Sequence, residues 1–130
     1  MNPTERYIKM CEKAEEIQKE WEPKTGDWAI DVWHRNPVVV IEKLDSKNLL
    51  VSQVGGGQYE NTRDKFIWLP TQEQLEEMFD LSIPTLMVDF YNFVLDGAKL
   101  KFSTFNELWL TFVMQSKYRK VWEREKWRKR

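Results

Sequence analysis

Phe66-Ile67-Trp68-Leu69-Pro70-Thr71-Gln72-Glu73-Gln74-Leu75-Glu76-Glu77-Met78-Phe79 is where the chain changes character. Four large apolar residues run up to a proline, which has no amide hydrogen for a ladder and should end a strand. Thr71 and Gln74 stand at capping-box spacing. Leu75, Met78 and Phe79 then fall at i, i+3, i+4, one face of a helix. The expectation is a strand feeding directly into a helix, with both apolar faces in one core.

Ahead of this stretch lie a helix and several ribbons. Asn2 can cap the helix and Pro3 suits its first position. Tyr7, Met10, Ala14, Ile17 and Trp21 form an apolar stripe, with Cys11 beside it, and Pro23 and Gly26 end the pattern near residue 22. In residues 27–33, Trp28, Ile30 and Val32 alternate onto one face, while Asp27, Ala29, Asp31 and Trp33 share the other. His34-Arg35-Asn36-Pro37 reads as a turn. Strands are expected at residues 38–41 and 49–54, a hairpin loop at Gly55-Gly56-Gly57, and a short strand from Gln58 to Thr62. Connections this short favour an antiparallel meander.

Beyond Phe79 the patterns are helical. Pro84 stands near the start of a helix whose face holds Ile83, Leu86 or Met87, Phe90, Val94 and Leu95, and Asp96-Gly97 stops it. Leu100 and Phe102 alternate in an extended link. Thr104 and Glu107 give a second capping box. Phe105, Leu108, Trp109, Phe112 and Val113 follow as an apolar stripe, widened by Leu110 and Met114. Tyr118, Val121 and Trp122 continue at helical spacing among basic residues. The fold expected is α+β, one domain over residues 1–130: an antiparallel four- to five-stranded sheet packed by an N-terminal helix and three C-terminal helices. Residues 123–130 read as a frayed basic tail.

The 130 residues suffice for one core. One cysteine excludes an internal disulfide, no basic-then-apolar leader opens the chain, and no apolar run approaches a bilayer span. A cytoplasmic protein without a membrane partner is expected. The net charge of −1 hides an uneven distribution. Residues 117–130 hold eight Lys/Arg against two Glu, a local +6, so the remainder carries −7.

Ile67-Trp68-Leu69-Pro70, with Gln72, Gln74-Leu75 and Glu77-Met78, resembles a segment of small uncharacterised prophage and phage proteins of Gram-positive bacteria. Leu108-Trp109-Leu110, Phe112-Val113-Met114, Lys117-Tyr118 and Lys120-Val121-Trp122 are similar to a second segment. Tyr7-Ile8-Lys9-Met10 and Trp21-Glu22-Pro23 before Gly26-Asp27 match at the N-terminal end. The resemblance covers about half the chain, in order. It departs at the basic residues 123–130 and finds nothing between Val32 and Gln58. It implies a phage-derived accessory protein in the host bacterial cytoplasm, and brings no activity or catalytic residues.

No catalytic cluster stands out, so the chain is read as no enzyme, with no cofactor and no metal. Asp27, Asp31 and His34 have ligand chemistry, but solvated carboxylates on an exposed face beside a turn histidine are the plainer reading. Cys11 reads as a small core residue rather than a nucleophile. The glycine run lacks the lysine and following helix of a phosphate loop. As a hairpin tip it could close on a small anionic or nucleotide-like ligand, with Trp33, His34, Gly56, Gln58 and Tyr59 as candidate contacts; a turn needing unusual backbone angles also explains it. The basic C-terminal helix offers Lys117, Arg119, Lys120, Arg124 and Trp127 for phosphates and bases. A helix end whose cations suit the dipole is the alternative, and a pI near 5.9 favours it. The leading expectation is a non-enzymatic module that binds a host or phage protein, with nucleic acid through the tail as the alternative.

Overall fold

A computed structural model describes residues 1–97 and 104–130. The link expected at Leu100 and Phe102 lies outside the described residues. Pro70 marks a boundary: the chain forms two compact units, Met1–Pro70 and Thr71–Arg130. The architecture is α+β, as expected.

In the first unit, α1 (Glu5–Lys13) is capped by Thr4, whose hydroxyl accepts the Tyr7 amide at 3.0 Å, rather than by Asn2. A second short helix, α2 (Glu15–Lys19), follows a break at Ala14. The stripe expected of one helix is therefore split over two, and Tyr7, Met10, Cys11, Ala14, Ile17 and Trp21 are all buried. The break has a use on the far side of α2. Gln18 Oε1 accepts the Trp68 amide at 2.8 Å, and Nε2 donates to the Trp68 carbonyl at 2.9 Å and the Cys11 carbonyl at 3.1 Å. One side-chain amide thus does for Trp68 what a neighbouring strand would do, and an exposed ladder edge is avoided.

The sheet holds β1 (Trp28–Asp31), β2 (Pro37–Lys43), β3 (Asn48–Gln53), β4 (Gln58–Thr62) and β5 (Phe66–Trp68), in the order β4-β3-β2-β1-β5. Every pairing is antiparallel. A 3-10 turn, Arg63–Lys65, joins β4 to β5. The register of β2 against β3 shifts between Val40 and Glu42. Such a bulge bends its strand and increases twist. The bend is large: in a flat sheet β4 and β1 would stand about 14 Å apart, yet the Tyr59 hydroxyl on β4 reaches Asp31 on β1. The Tyr59 ring is 6.3 Å from that of Phe66 on β5. The two edge strands therefore curl toward each other around Val38, Val40, Leu49, Val51 and Ala29, all buried, while Ile30, buried too, faces the other side of the sheet.

In the second unit, α3 (Gln72–Glu77) has its full capping box: Thr71 Oγ1 accepts the Gln74 amide and Gln74 Oε1 accepts the Thr71 amide. Helix α4 (Ile83–Asp96) starts at Ser82 with Pro84 in its first turn and stops at Gly97. Helix α5 (Phe105–Tyr118) starts at Thr104, whose hydroxyl accepts the Glu107 amide. Phe79, Phe90, Phe93, Trp109 and Phe112 form an aromatic cluster, with Phe90 stacked 4.0 Å from Trp109 and 4° from parallel. The buried face of α4 differs from the one expected. Leu86 and Phe93 face inward, while Ile83, Met87, Val94 and Leu95 are exposed, together with Val88 and Tyr91. Ile83, Met87, Tyr91 and Leu95 follow at four-residue steps, so this exposure is a continuous stripe. No helix among the described residues is long and apolar enough to cross a membrane.

Candidate functional site

Three places carry chemistry, two of them within reach of the sequence. The first gathers at the end of β1. Asp31 is only 1% exposed, and Asp27 is buried too, against the expectation of solvated carboxylates. The face of β1 that carries Asp31 is covered because the sheet curls over it, bringing Tyr59 of β4 across. The two carboxylates belong to separate networks. Asp27 Oδ2 accepts Trp21 Nε1 at 3.0 Å and the Lys24 amide at 2.9 Å, which ties the end of the helical segment to the sheet. Asp31 Oδ1 accepts the amides of Trp33 at 2.8 Å and His34 at 3.2 Å. Its Oδ2 accepts the Tyr59 hydroxyl at 2.5 Å and lies 3.1 Å from His34 Nδ1.

Burial alone would push the Asp31 carboxyl up. The hydrogen bonds from Tyr59, from His34 and from the two amides outweigh it and hold the group down at about 2. Burial and the adjacent Asp31 anion push the Tyr59 phenol up, so it remains a donor. The structure therefore brings Trp33, His34 and Tyr59 together around a buried carboxylate that the sequence suggested was solvated. Gly56 lies in the neighbouring loop and Gln58 opens β4; the loop reaches the same end through the Val54 amide and the Pro37 carbonyl, 3.4 Å apart. Of the three glycines in this loop, Gly55 is the one with a left-handed φ, +75°. Asp31 spends its acceptors on fixing this turn, and Trp33, 75% exposed, stands outside it. Cys11 is fully buried, and burial pushes its thiol up, so thiolate chemistry is disfavoured there.

The second place is the basic C-terminal segment. Its helix ends at Tyr118, where Arg119 turns left-handed at φ 54° and its amide still bonds the Gln115 carbonyl. In place of a helical extension and a frayed end, β6 (Lys120–Glu123) and β7 (Lys126–Lys129) form an antiparallel ribbon. The Arg130 amide bonds back to the Arg119 carbonyl at 2.9 Å, closing its base. Trp122 faces Trp127 across the strands, rings edge-on and 5.1 Å apart. Strand alternation puts Lys120 and Lys129, also directly opposed, on that same face. At the tip, Arg124 and Glu125 both have positive φ, 49° and 63°, the pattern of a type I′ turn. Of the candidates read from sequence, Lys120, Arg124 and Trp127 belong to this ribbon. Arg119 forms the hinge before it, and the Lys117 ammonium donates to the Met78 carbonyl at 3.0 Å.

The third place was missed. A groove of about 740 Å³ is lined by Gln18, Lys19, Trp21, Ser46, Lys47, Thr62, Arg63, Asp64 and Phe66, from four segments of the first unit. No motif marks it, because its residues are scattered over nearly fifty positions of sequence. Among the described residues no group of three side chains of metal-ligating type converges. No protein-family model, curated protein or solved structure matches the chain.

Proposed function

We propose that this chain is a non-enzymatic, phage-derived binding protein and that the β6–β7 ribbon is the surface with which it engages nucleic acid. The carrying observation is the Lys120–Lys129 pair set beside Trp122 and Trp127 on one ribbon face. Like charges directly across a strand pair destabilise it. A phosphate between them converts that repulsion into attraction. A two-stranded ribbon also fits the major groove of duplex DNA, which is about 12 Å wide. Arg124 at the tip extends this basic face, while Lys126 and Arg128 alternate onto the other side of the ribbon. The resemblance to small prophage proteins supports a phage origin, and the shared residues end inside β6.

The test is anisotropy of a labelled DNA duplex titrated with the full chain at about 50 mM salt, where phosphate contacts are strongest. Dissociation constants on the order of micromolar are expected. Lys120→Glu with Lys129→Glu should weaken binding at least tenfold. Absence of binding, or equal binding by that variant, would remove the proposal. The exposed apolar stripe of α4 supports a protein contact as a second reading. Met87→Glu on that stripe should leave DNA affinity unchanged.

A further inference from the structure

We infer that the groove between α2, the β2–β3 turn and the 3-10 turn is an oligophosphate-binding site, separate from the ribbon. Its lining sets three cations, Lys19, Lys47 and Arg63, against one carboxylate, Asp64. The volume, about 740 Å³, is that of a small-molecule site. None of the three cations has a carboxylate in ion-pair contact among the described residues. Three cations gathered at one concave surface against a single lining carboxylate leave a net positive field on whatever enters.

The walls are held in place. The Arg63 amide bonds the Lys47 carbonyl at 2.7 Å, so the two turns that carry these cations are tied together. Asp45 accepts the amides of Lys47 and Asn48, at 2.7 and 2.8 Å, which fixes the β2–β3 turn from inside. The Arg63 guanidinium donates to the Trp21 carbonyl and lies 5.7 Å over the Trp21 ring. One part of its donor fork is thereby anchored, and the remainder is presented without further ordering cost. Trp21 is itself stacked on Trp68, rings 6.2 Å apart and 5° from parallel.

The neutral groups favour a compact, highly charged ligand over a polar one. Gln18 is committed to Trp68 and Cys11, and the Thr62 hydroxyl donates to Asp64 at 2.5 Å. Ser46 is the remaining hydroxyl in the lining. Hydrogen bonding from Thr62 holds the Asp64 carboxyl below its ordinary range, so it is charged near neutral pH and opposes the cations. A single-charge anion gains little there. A di- or triphosphate, free or carried on a nucleoside, gains charge-assisted contacts from three sides.

The experiment is calorimetric titration of the full chain with pyrophosphate and, separately, ADP, with sodium chloride adjusted to constant ionic strength. One-site binding is expected. Lys19→Ala with Lys47→Ala should weaken it at least tenfold. Both side chains are exposed, and an unchanged unfolding midpoint without ligand shows that the fold is kept. Asp64→Asn should tighten binding several-fold. The ribbon variant Lys120→Glu/Lys129→Glu should bind pyrophosphate like the parent, which separates this site from the DNA-binding proposal. ADP binding more tightly than pyrophosphate assigns a nucleotide. Equal affinity assigns the phosphate group alone. Absence of heat, undiminished affinity in the Lys19/Lys47 variant, or loss in the ribbon variant would overturn the site.

Discussion

The β3–β4 and β6–β7 hairpins of this chain are built in opposite ways. At the β3–β4 hairpin, left-handed backbone falls on Gly55, which pays nothing for it. At the β6–β7 tip it falls on Arg124 and Glu125, and for a residue with a Cβ this costs roughly 1–2 kcal/mol each. The surroundings differ in the same sense. Near the first hairpin, Asp31 gathers Tyr59, His34 and two amides into one saturated network. On the ribbon, Lys120 faces Lys129, and Arg128 Nε is buried without a hydrogen-bond acceptor. One hairpin has polar groups that serve the fold, while the other keeps charge and strain that a ligand can relieve.

Breaking the saturated network should have the largest effect. Asp31→Asn keeps the shape but offers Tyr59 and His34 an amide in place of a carboxylate oxygen. A loss of about 3 kcal/mol is expected in urea unfolding at neutral pH. The same network sets a pH dependence. The Asp31 carboxyl titrates near 2 in the folded chain and near 3.9 when unfolded, as roughly typical of free Asp. Its contribution is thus fully present above about pH 4 and is lost as pH falls toward about 2. In Asp31→Asn the stability curve should be flatter over that window, and an unchanged acid slope would show that Asp31 does not carry it.

The glycine contrast is sharpened by a pair of smaller changes with opposite signs. Gly55→Ala should destabilise by about 1–2 kcal/mol, because no neighbour is close enough to crowd the new methyl and only the backbone angle is penalised. Glu125→Gly should stabilise the ribbon by about 1 kcal/mol, read as added protection of its cross-strand amides in hydrogen exchange. If Glu125→Gly were neutral or destabilising, the tip would not be strained, and the contrast between the hairpins would be lost.

These differences also explain what could be read in advance. The meander was legible because β-branched runs alternate between Gly, Pro and Asn turns, and Thr71, Ser82 and Thr104 announce the helices that follow them. The break at Ala14 was hidden, since it involves no Gly or Pro and serves a bond from Gln18 to a strand fifty residues away. The ribbon was hidden because Tyr118, Val121 and Trp122 fit a helical period as well as a strand. Its turn also uses residues that rarely adopt positive φ. Asp31 was misjudged because a short strand does not reveal that its sheet will curl over the face that carries it. The groove has no local signal at all; only the fold brings Lys19, Lys47 and Arg63 to one surface.

The ribbon's role is tested most directly by the salt dependence of duplex DNA affinity. If Lys120, Arg124 and Lys129 each neutralise a phosphate, log Kobs should fall against log salt with a slope of about −3. Lys129→Ala should make that slope shallower by about 1. A slope near zero, or one that Lys129→Ala leaves unchanged, would contradict phosphate binding by the ribbon.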